Sequence, residues 1–254
     1  MFDVPLDFLW LIPLVIAAFC HTSVGLAGGT SYSAILSASG LPILTVTSTS
    51  LTLNTIASSI GAINFARFKH LKPSLLLPFL ASSAPCAYFG SKIVLPAVWF
   101  YIILILTLVL CIVNLLSHLS VESRRQLPRY FIVPISICIG AAIGFISGCM
   151  GIGGGIYLVP LIVSLGIASA KQAAACGIVF IWCNSVVGLF SRWESSLLQL
   201  ENIFIIVIAV ILGSAAGSYF GASRFPVKIV KAILVAVLLF ALGILSQRLY
   251  WELL

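Results

Sequence analysis

The stretch SGCMGIGGGIYLVP, Ser147 to Pro160, decides how this chain is read. Five glycines (Gly148, Gly151, Gly153, Gly154 and Gly155) fall within eight residues, with long apolar runs on either side. In water such a stretch would be a loop. Between apolar runs it lies at bilayer depth, where an unpaired backbone N–H finds no water and costs several kcal/mol. Irregular backbone persists at that depth only where it is buried in protein or lines a cavity or a binding site. The chain carries the stretch twice, since HTSVGLAGGTSYSA, His21 to Ala34, is the same text in weaker form.

Composition fixes the class around these two stretches. The 254 residues are 61% hydrophobic and only 7% charged, with a mean hydropathy of +1.23, whereas soluble domains carry about 25% charged residues. The chain therefore reads as an all-α polytopic membrane protein embedded in a lipid bilayer. A β-barrel would alternate apolar and polar positions, but 97–116 and 203–222 are continuously apolar. The net charge of +7 does not point to nucleic acid, because the basic residues sit in short loops where membrane topology places them. The N-terminus lacks a basic region and carries Asp3 and Asp7, so a cleaved signal peptide is not expected. Seven cysteines form no CxxC pair and three histidines lie far apart, so neither a metal nor another cofactor is expected. Cysteine in such surroundings is mostly a small packing residue.

Apolar segments predict helices over roughly 8–24, 30–44, 46–65, 74–91, 95–117, 131–147, 155–168, 173–190, 202–222 and 227–247. Several approach the ~20 residues a helix needs to cross a bilayer. The segments at 30–44 and 155–168 are short and follow the glycines, which suggests half-helices or re-entrant hairpins. The halves align: Gly25–Gly29 lies 126 residues before Gly151–Gly155. Phe65-Ala66-Arg67 matches Phe190-Ser191-Arg192 at 125, and Ala87–Ser91 matches Ser218–Ala222 at 131. This gives a first transmembrane repeat over 1–118, a polar cytoplasmic linker over 119–129 and a second repeat over 130–254. Basic residues arbitrate the relative orientation. With the halves inverted, ten of the thirteen fall on the inner face and only Lys92, Arg192 and Arg248 outside; the best parallel arrangement divides them eight to five. Inversion is therefore expected, with Ser117–Arg129 cytoplasmic and Arg192–Glu201 periplasmic.

A glycine break followed by a short helix presents N–H groups and a partial positive charge. Two such breaks facing one cavity form a transporter layout suited to an anionic group. The competing reading is that the glycines only let helices pack closely. Candidate substrate contacts are His21, Thr22, Ser23, Gly25, Gly28, Gly29 and Thr30 at the first break, and Ser147, Cys149, Gly151, Gly153, Gly154 and Gly155 at the second. Asn54, Cys176 and Asn184, on the helix after each break, complete the set. The hydroxyls could instead bond their own helices. The acidic residues (Asp3, Asp7, Glu122, Glu194, Glu201 and Glu252) all fall in expected loops or ends, so no mid-membrane carboxylate serves a cation. Proton or ion coupling stays open, with His21 as the one intramembrane titratable candidate.

GLAGGT and GCMGIGGGIYLVPL, with the SYFGA-type repeat before the last span, resemble the sulfite exporter TauE/SafE family, also called the 4-toluene sulfonate uptake permease family. The resemblance covers essentially the whole chain. It implies a multi-pass transporter of the plasma membrane, the bacterial inner membrane, associated with sulfite, organosulfonates and other small sulfur-containing or organic anions. The first copy departs from the usual GxGGG at Ala27 and lacks a proline matching Pro160. The function expected is a secondary transporter for a small anion, not an enzyme, with homo-oligomerisation left open. The alternatives are an anion channel, a membrane assembly factor, or an intramembrane hydrolase using Ser147 and His21. The last lacks the GxSxG elbow, since the local sequence is Gly144-Phe145-Ile146-Ser147-Gly148.

Overall fold

The computed structural model describes residues 11–117, 129–165, 167–192, 203–223 and 227–253. The linker over 119–128 and the 193–201 part of the expected periplasmic loop lie outside the described residues. The described residues form ten helices joined by turns and loops, with no strand among them: α1 (Leu11–Ser23), α2 (Gly29–Ala38), α3 (Ile43–Arg67), α4 (Pro73–Ser91), α5 (Ala97–Ser117), α6 (Arg129–Met150), α7 (Gly155–Ser164), α8 (Ala170–Ser191), α9 (Ile203–Ser223) and α10 (Val227–Leu253). The all-α multi-pass reading holds, and α2 and α7, ten residues each, are the two short helices behind the glycines. Among the described residues, Val133–Met150, Lys171–Ser191 and Ile203–Ser223 are long and apolar enough to cross a membrane. At 1.5 Å per residue, α3 with its 25 residues is also long enough, but its serines and threonines dilute its hydropathy.

Two helix boundaries at glycines differ from the sequence expectation. The sixth helix does not end at 147 but continues through Gly148 to Met150. Gly148 is retained because α4 lies against it: a Cβ there would stand 2.5 Å from the Ala87 carbonyl oxygen. Conversely, the second helix stops at Ala38, short of 44, because Gly40 takes φ +81° and Pro42 caps the start of α3.

Two close helix pairs frame the molecule, α4 with α6 and α1 with α9. Each is built on a stripe of glycines four residues apart, which lets backbones approach where lipid supplies no hydrophobic drive between helices. On α6, a Cβ added to Gly140 or Gly144 would lie 2.4 or 2.3 Å from the carbonyl oxygens of Phe79 and Ser83. On α9, a Cβ on Gly213, Gly217 or Gly221 would lie 2.6, 2.2 or 2.1 Å from those of Val15, Phe19 and Ser23. Between the pairs run α3 and α8, antiparallel to each other: Thr47 meets Arg192, Leu51 meets Gly188 and Gly61 meets Ile178. The remaining helices pad this centre, α5 and α2 against α10 and α7 against α8.

Gly217→Leu should therefore force α1 away from α9 and destabilise the protein by about 1–3 kcal/mol or more, the usual cost of overpacking. Gly243, exposed on α10 with nothing within 4 Å of an added Cβ, should accept leucine with a change of about 0.5 kcal/mol or less. Thermal melts of the two variants in detergent check the contrast.

Candidate functional site

Each break begins as a helix C-terminus that closes on itself. At the end of α1, Leu26 N–H donates to the His21 carbonyl at 2.9 Å and Gly25 N–H to the Thr22 carbonyl at 3.2 Å. At the end of α6, Ile152 N–H donates to the Ser147 carbonyl at 3.2 Å and Gly151 N–H to the Gly148 carbonyl at 3.4 Å. Both are Schellman closures, with a glycine at the left-handed position (Gly25, φ +79°; Gly151, φ +68°) satisfying carbonyls that would otherwise be orphaned. Three residues later a second left-handed glycine, Gly28 or Gly154, caps the next helix without any side-chain cap. The N-terminal turns of α2 and α7 thus carry only backbone N–H groups at their tips. The loops differ at one position: Gly153 has φ +73°, whereas Ala27 is not left-handed.

Tertiary packing brings the two breaks to one crossing with α3 and α8. A Cβ built on Gly29 would lie 2.2 Å from Asn54 Nδ2 and 2.9 Å from the Ile152 carbonyl oxygen, so the start of α2 touches both α3 and the second break. Gly25 packs on Ala174 of α8, and Gly151 packs on Thr47 of α3. Gly153 and Gly155 lie against Ile181, with Ser185 Oγ 3.0 Å from where a Cβ on Gly153 would sit. Beside Gly154 stands the Ser147 hydroxyl, 3.0 Å from the corresponding Cβ position.

Most of the hydroxyls expected at the site are occupied by their own helices. Thr22 Oγ1 donates to the Ala18 carbonyl at 2.7 Å, Ser23 Oγ to Cys20 at 2.7 Å and Ser147 Oγ to Gly144 at 3.1 Å. Thr30 is buried in the first turn of α2. The His21 ring is held at both nitrogens, with Nδ1 donating to the Ala17 carbonyl at 2.8 Å and Nε2 accepting from Ser31 Oγ at 3.5 Å. Cys149 lies buried at the end of α6, and Cys176 is buried on α8 with its thiol 3.7 Å from the Lys72 carbonyl.

The two amides have different surroundings. Asn184 Oδ1 accepts from Ser83 Oγ at 3.1 Å, and its Nδ2 reaches the Gly153 carbonyl at 3.5 Å. Asn54, wholly buried against the start of α2, has a hydrogen-bond partner for neither Nδ2 nor Oδ1. Buried polar atoms are normally paired, and an unpaired amide costs about 1–3 kcal/mol. Ser185 Oγ, Ser48 Oγ, Thr49 Oγ1 and Tyr32 Oη are also buried without partners.

One residue that matters here opens the expected periplasmic loop. Arg192 is buried at the end of α8. Its Nε donates to the Ser91 carbonyl at 2.7 Å and its Nη2 to those of Gly148 at 3.2 Å and Cys149 at 3.5 Å, while Nη1 bonds Thr47 Oγ1. The guanidinium thus gathers the C-terminal carbonyls of α4 and α6, where helix dipoles favour a cation. Arg248 likewise bonds the Ala38 carbonyl at the end of α2. The signal in the sequence was the FSR match to Phe65-Ala66-Arg67, but Arg67 itself is exposed. Nothing local separates the two arginines.

The sequence profile of the family described as "Sulfite exporter TauE/SafE" matches residues 10–245. A "Probable membrane transporter protein y4hK" of Sinorhizobium fredii is 28% identical over 246 residues, 94% of this chain and 96% of that protein. A "Probable membrane transporter protein" of Haemophilus influenzae is 32% identical over 135 residues, 48% of this chain and 51% of that one. No solved structure matches the chain.

Arg192→Leu should destabilise the protein by about 3 kcal/mol, since hydrogen bonds to a charged group contribute about 1.5–3 kcal/mol each and buried carbonyls lose their donor. Arg67→Leu, at the matching exposed position, should change stability by about 0.5 kcal/mol or less. Melting temperatures of the two variants measure the difference.

Proposed function

The chain belongs to the sulfite exporter TauE/SafE family of membrane transporters, and from that premise we propose that it is a secondary carrier for a small anion. Sulfite, an organosulfonate or a related sulfur-containing or organic anion is the substrate class, and the bacterial inner membrane is the location. The observation that carries this reading is Asn54, an amide with both polar atoms unpartnered and wholly buried against the uncapped N-terminus of α2. A helix N-terminus attracts negative charge, each equivalent to roughly half an elementary charge, and acts more strongly where water is scarce. Among the described residues no carboxylate opposes it, since Glu252, the acidic residue there, is exposed at the end of α10.

An alternating-access carrier needs two elements that can rock about a shared site, and inverted repeats supply them. The proposal that residues 1–118 and 130–254 are such repeats is supported by reciprocal contacts. Gly25 of the first break packs on Ala174, and Gly151 of the second packs on Thr47, near the equivalent position of the other half. Each break-bearing helix (α1, α6) pairs with the other half's glycine-bearing partner (α9, α4). The equivalent helices α3 and α8 run antiparallel, as inversion across the membrane plane requires.

The carrier reading separates function from stability at one residue. Asn54→Leu, the apolar isostere, removes an unpaired buried amide and should leave stability unchanged or raise it by about 1–3 kcal/mol, yet abolish anion flux. Asn184→Leu should lower stability by about 1–3 kcal/mol, because it strands Ser83. Reconstituted vesicles with an imposed anion gradient, together with melts of the same preparations, measure both. Saturable flux with counter-exchange supports a carrier; flux that rises without saturation would assign a channel. An Asn54→Leu protein that transports normally removes Asn54 from the site.

A further inference from the structure

We infer that the anion taken at the α2 site is a monoanion that carries its own proton, an oxyanion with X–O⁻ and X–OH side by side, and not a fully deprotonated one. This rests on the carrier reading and adds to it the protonation state of the substrate. An asparagine amide presents one donor group and one acceptor. In Asn54 neither is used, although the side chain is wholly buried. Because both terminal atoms are unpartnered, the conclusion holds whichever of them is nitrogen.

The chemistry follows from what each kind of anion can offer. An oxyanion without hydrogen supplies acceptors only. It would complete Nδ2 and the N–H groups at the start of α2, but press a lone pair against Oδ1. A hydrogen-bearing oxyanion accepts from Nδ2 and from the α2 N–H groups through its charged oxygen, and donates to Oδ1 through its hydroxyl. Both unpaired atoms are then satisfied by one small ligand, in a place where each unsatisfied atom is costly. Hydroxyl groups around the crossing do not decide the matter, since they donate or accept as required.

The same arrangement bears on how a proton could accompany the anion. The titratable and charged side chains on the elements about Asn54 are Cys20 and His21 on α1, Tyr32 on α2, Cys176, Cys183 and Lys171 on α8, Arg192 at its end and Tyr219 on α9. On α3 itself only Arg67 is charged, at its far end. His21 is held at both ring nitrogens, and no carboxylate is among these groups. A proton that stays on the substrate needs none of them. The hydrogen remains bonded to the anion's oxygen throughout, so no group on the protein is protonated or deprotonated.

The test uses the wild-type full-length protein in detergent, titrated calorimetrically and by thermal shift. Sulfite converts from hydrogensulfite to its dianion near neutral pH. Chlorate is the pyramidal monoanion of similar shape with no proton across the same range. Sulfite should bind at least about tenfold tighter than chlorate where hydrogensulfite dominates, and weaken about tenfold for each pH unit once the dianion dominates, with chlorate flat. Chlorate equal to hydrogensulfite, sulfite binding that strengthens as pH rises, or the same pH profile for both anions would each overturn the inference while leaving the anion carrier intact. If neither anion binds at any pH, the anion-site reading fails and the inference falls with it.

Discussion

Backbone polarity in a medium without water is the constraint on which this structure depends. A helix end leaves four carbonyls or four N–H groups without intrahelical partners, and here two chain breaks place such ends inside the packed centre. The carbonyl ends of α1 and α6 are closed locally by glycines in the left-handed conformation. At α6, Arg192 adds bonds to the Gly148 and Cys149 carbonyls, and it also binds the last carbonyl of α4. The N–H ends of α2 and α7 receive no comparable side chain, since neither has a side-chain cap. The carbonyl ends are bonded from within the protein while the N–H ends carry no side-chain cap, and the anion-carrier proposal rests on that difference.

The two breaks are alike in backbone but not in surroundings. Asn184 is anchored by Ser83 and reaches the Gly153 carbonyl, so it acts as a strut for the second break. Asn54, beside the first, is held by no hydrogen bond. Arg192 binds carbonyls at the end of α6 beside the second break, whereas Arg67 is exposed. The break with the richer glycine signature is thus the more braced of the two. The plainer one, with Ala27 in place of a third glycine, keeps the unsatisfied amide. Natural proteins retain buried unpaired groups at a cost in stability mainly where function uses them.

The glycine stripes on α6 and α9 serve a separate purpose. They set how closely α4 and α1 approach, with backbone carbonyls against glycine Cα atoms. Both readings weighed for glycine in this sequence therefore occur, at different positions. Gly140, Gly144, Gly213 and Gly217 are packing residues, while Gly25, Gly28, Gly151 and Gly154 shape the breaks through left-handed φ.

The sequence by itself determined the class, the helices and the place of the breaks. Continuous apolar runs admit only helices in a bilayer, and clustered glycines followed by short apolar segments mark a helix that stops and restarts. These are local properties, legible residue by residue. The tertiary structure decided which polar groups are already partnered. Thr22, Ser23 and Ser147, candidate ligand contacts in the sequence, bond carbonyls of their own helices, and the Cys176 thiol reaches the Lys72 carbonyl. Arg192 looks like a loop cation and is a buried clamp, because its acceptors come from helices more than forty residues away in the chain. Asn54 and Asn184 are the same residue type, each on the helix that follows a break. Only the packing of α4 beside α8, which brings Ser83 to Asn184 and nothing equivalent to Asn54, separates a strut from a vacant amide, since hydrogen-bond satisfaction depends on what distant segments bring within about 3 Å.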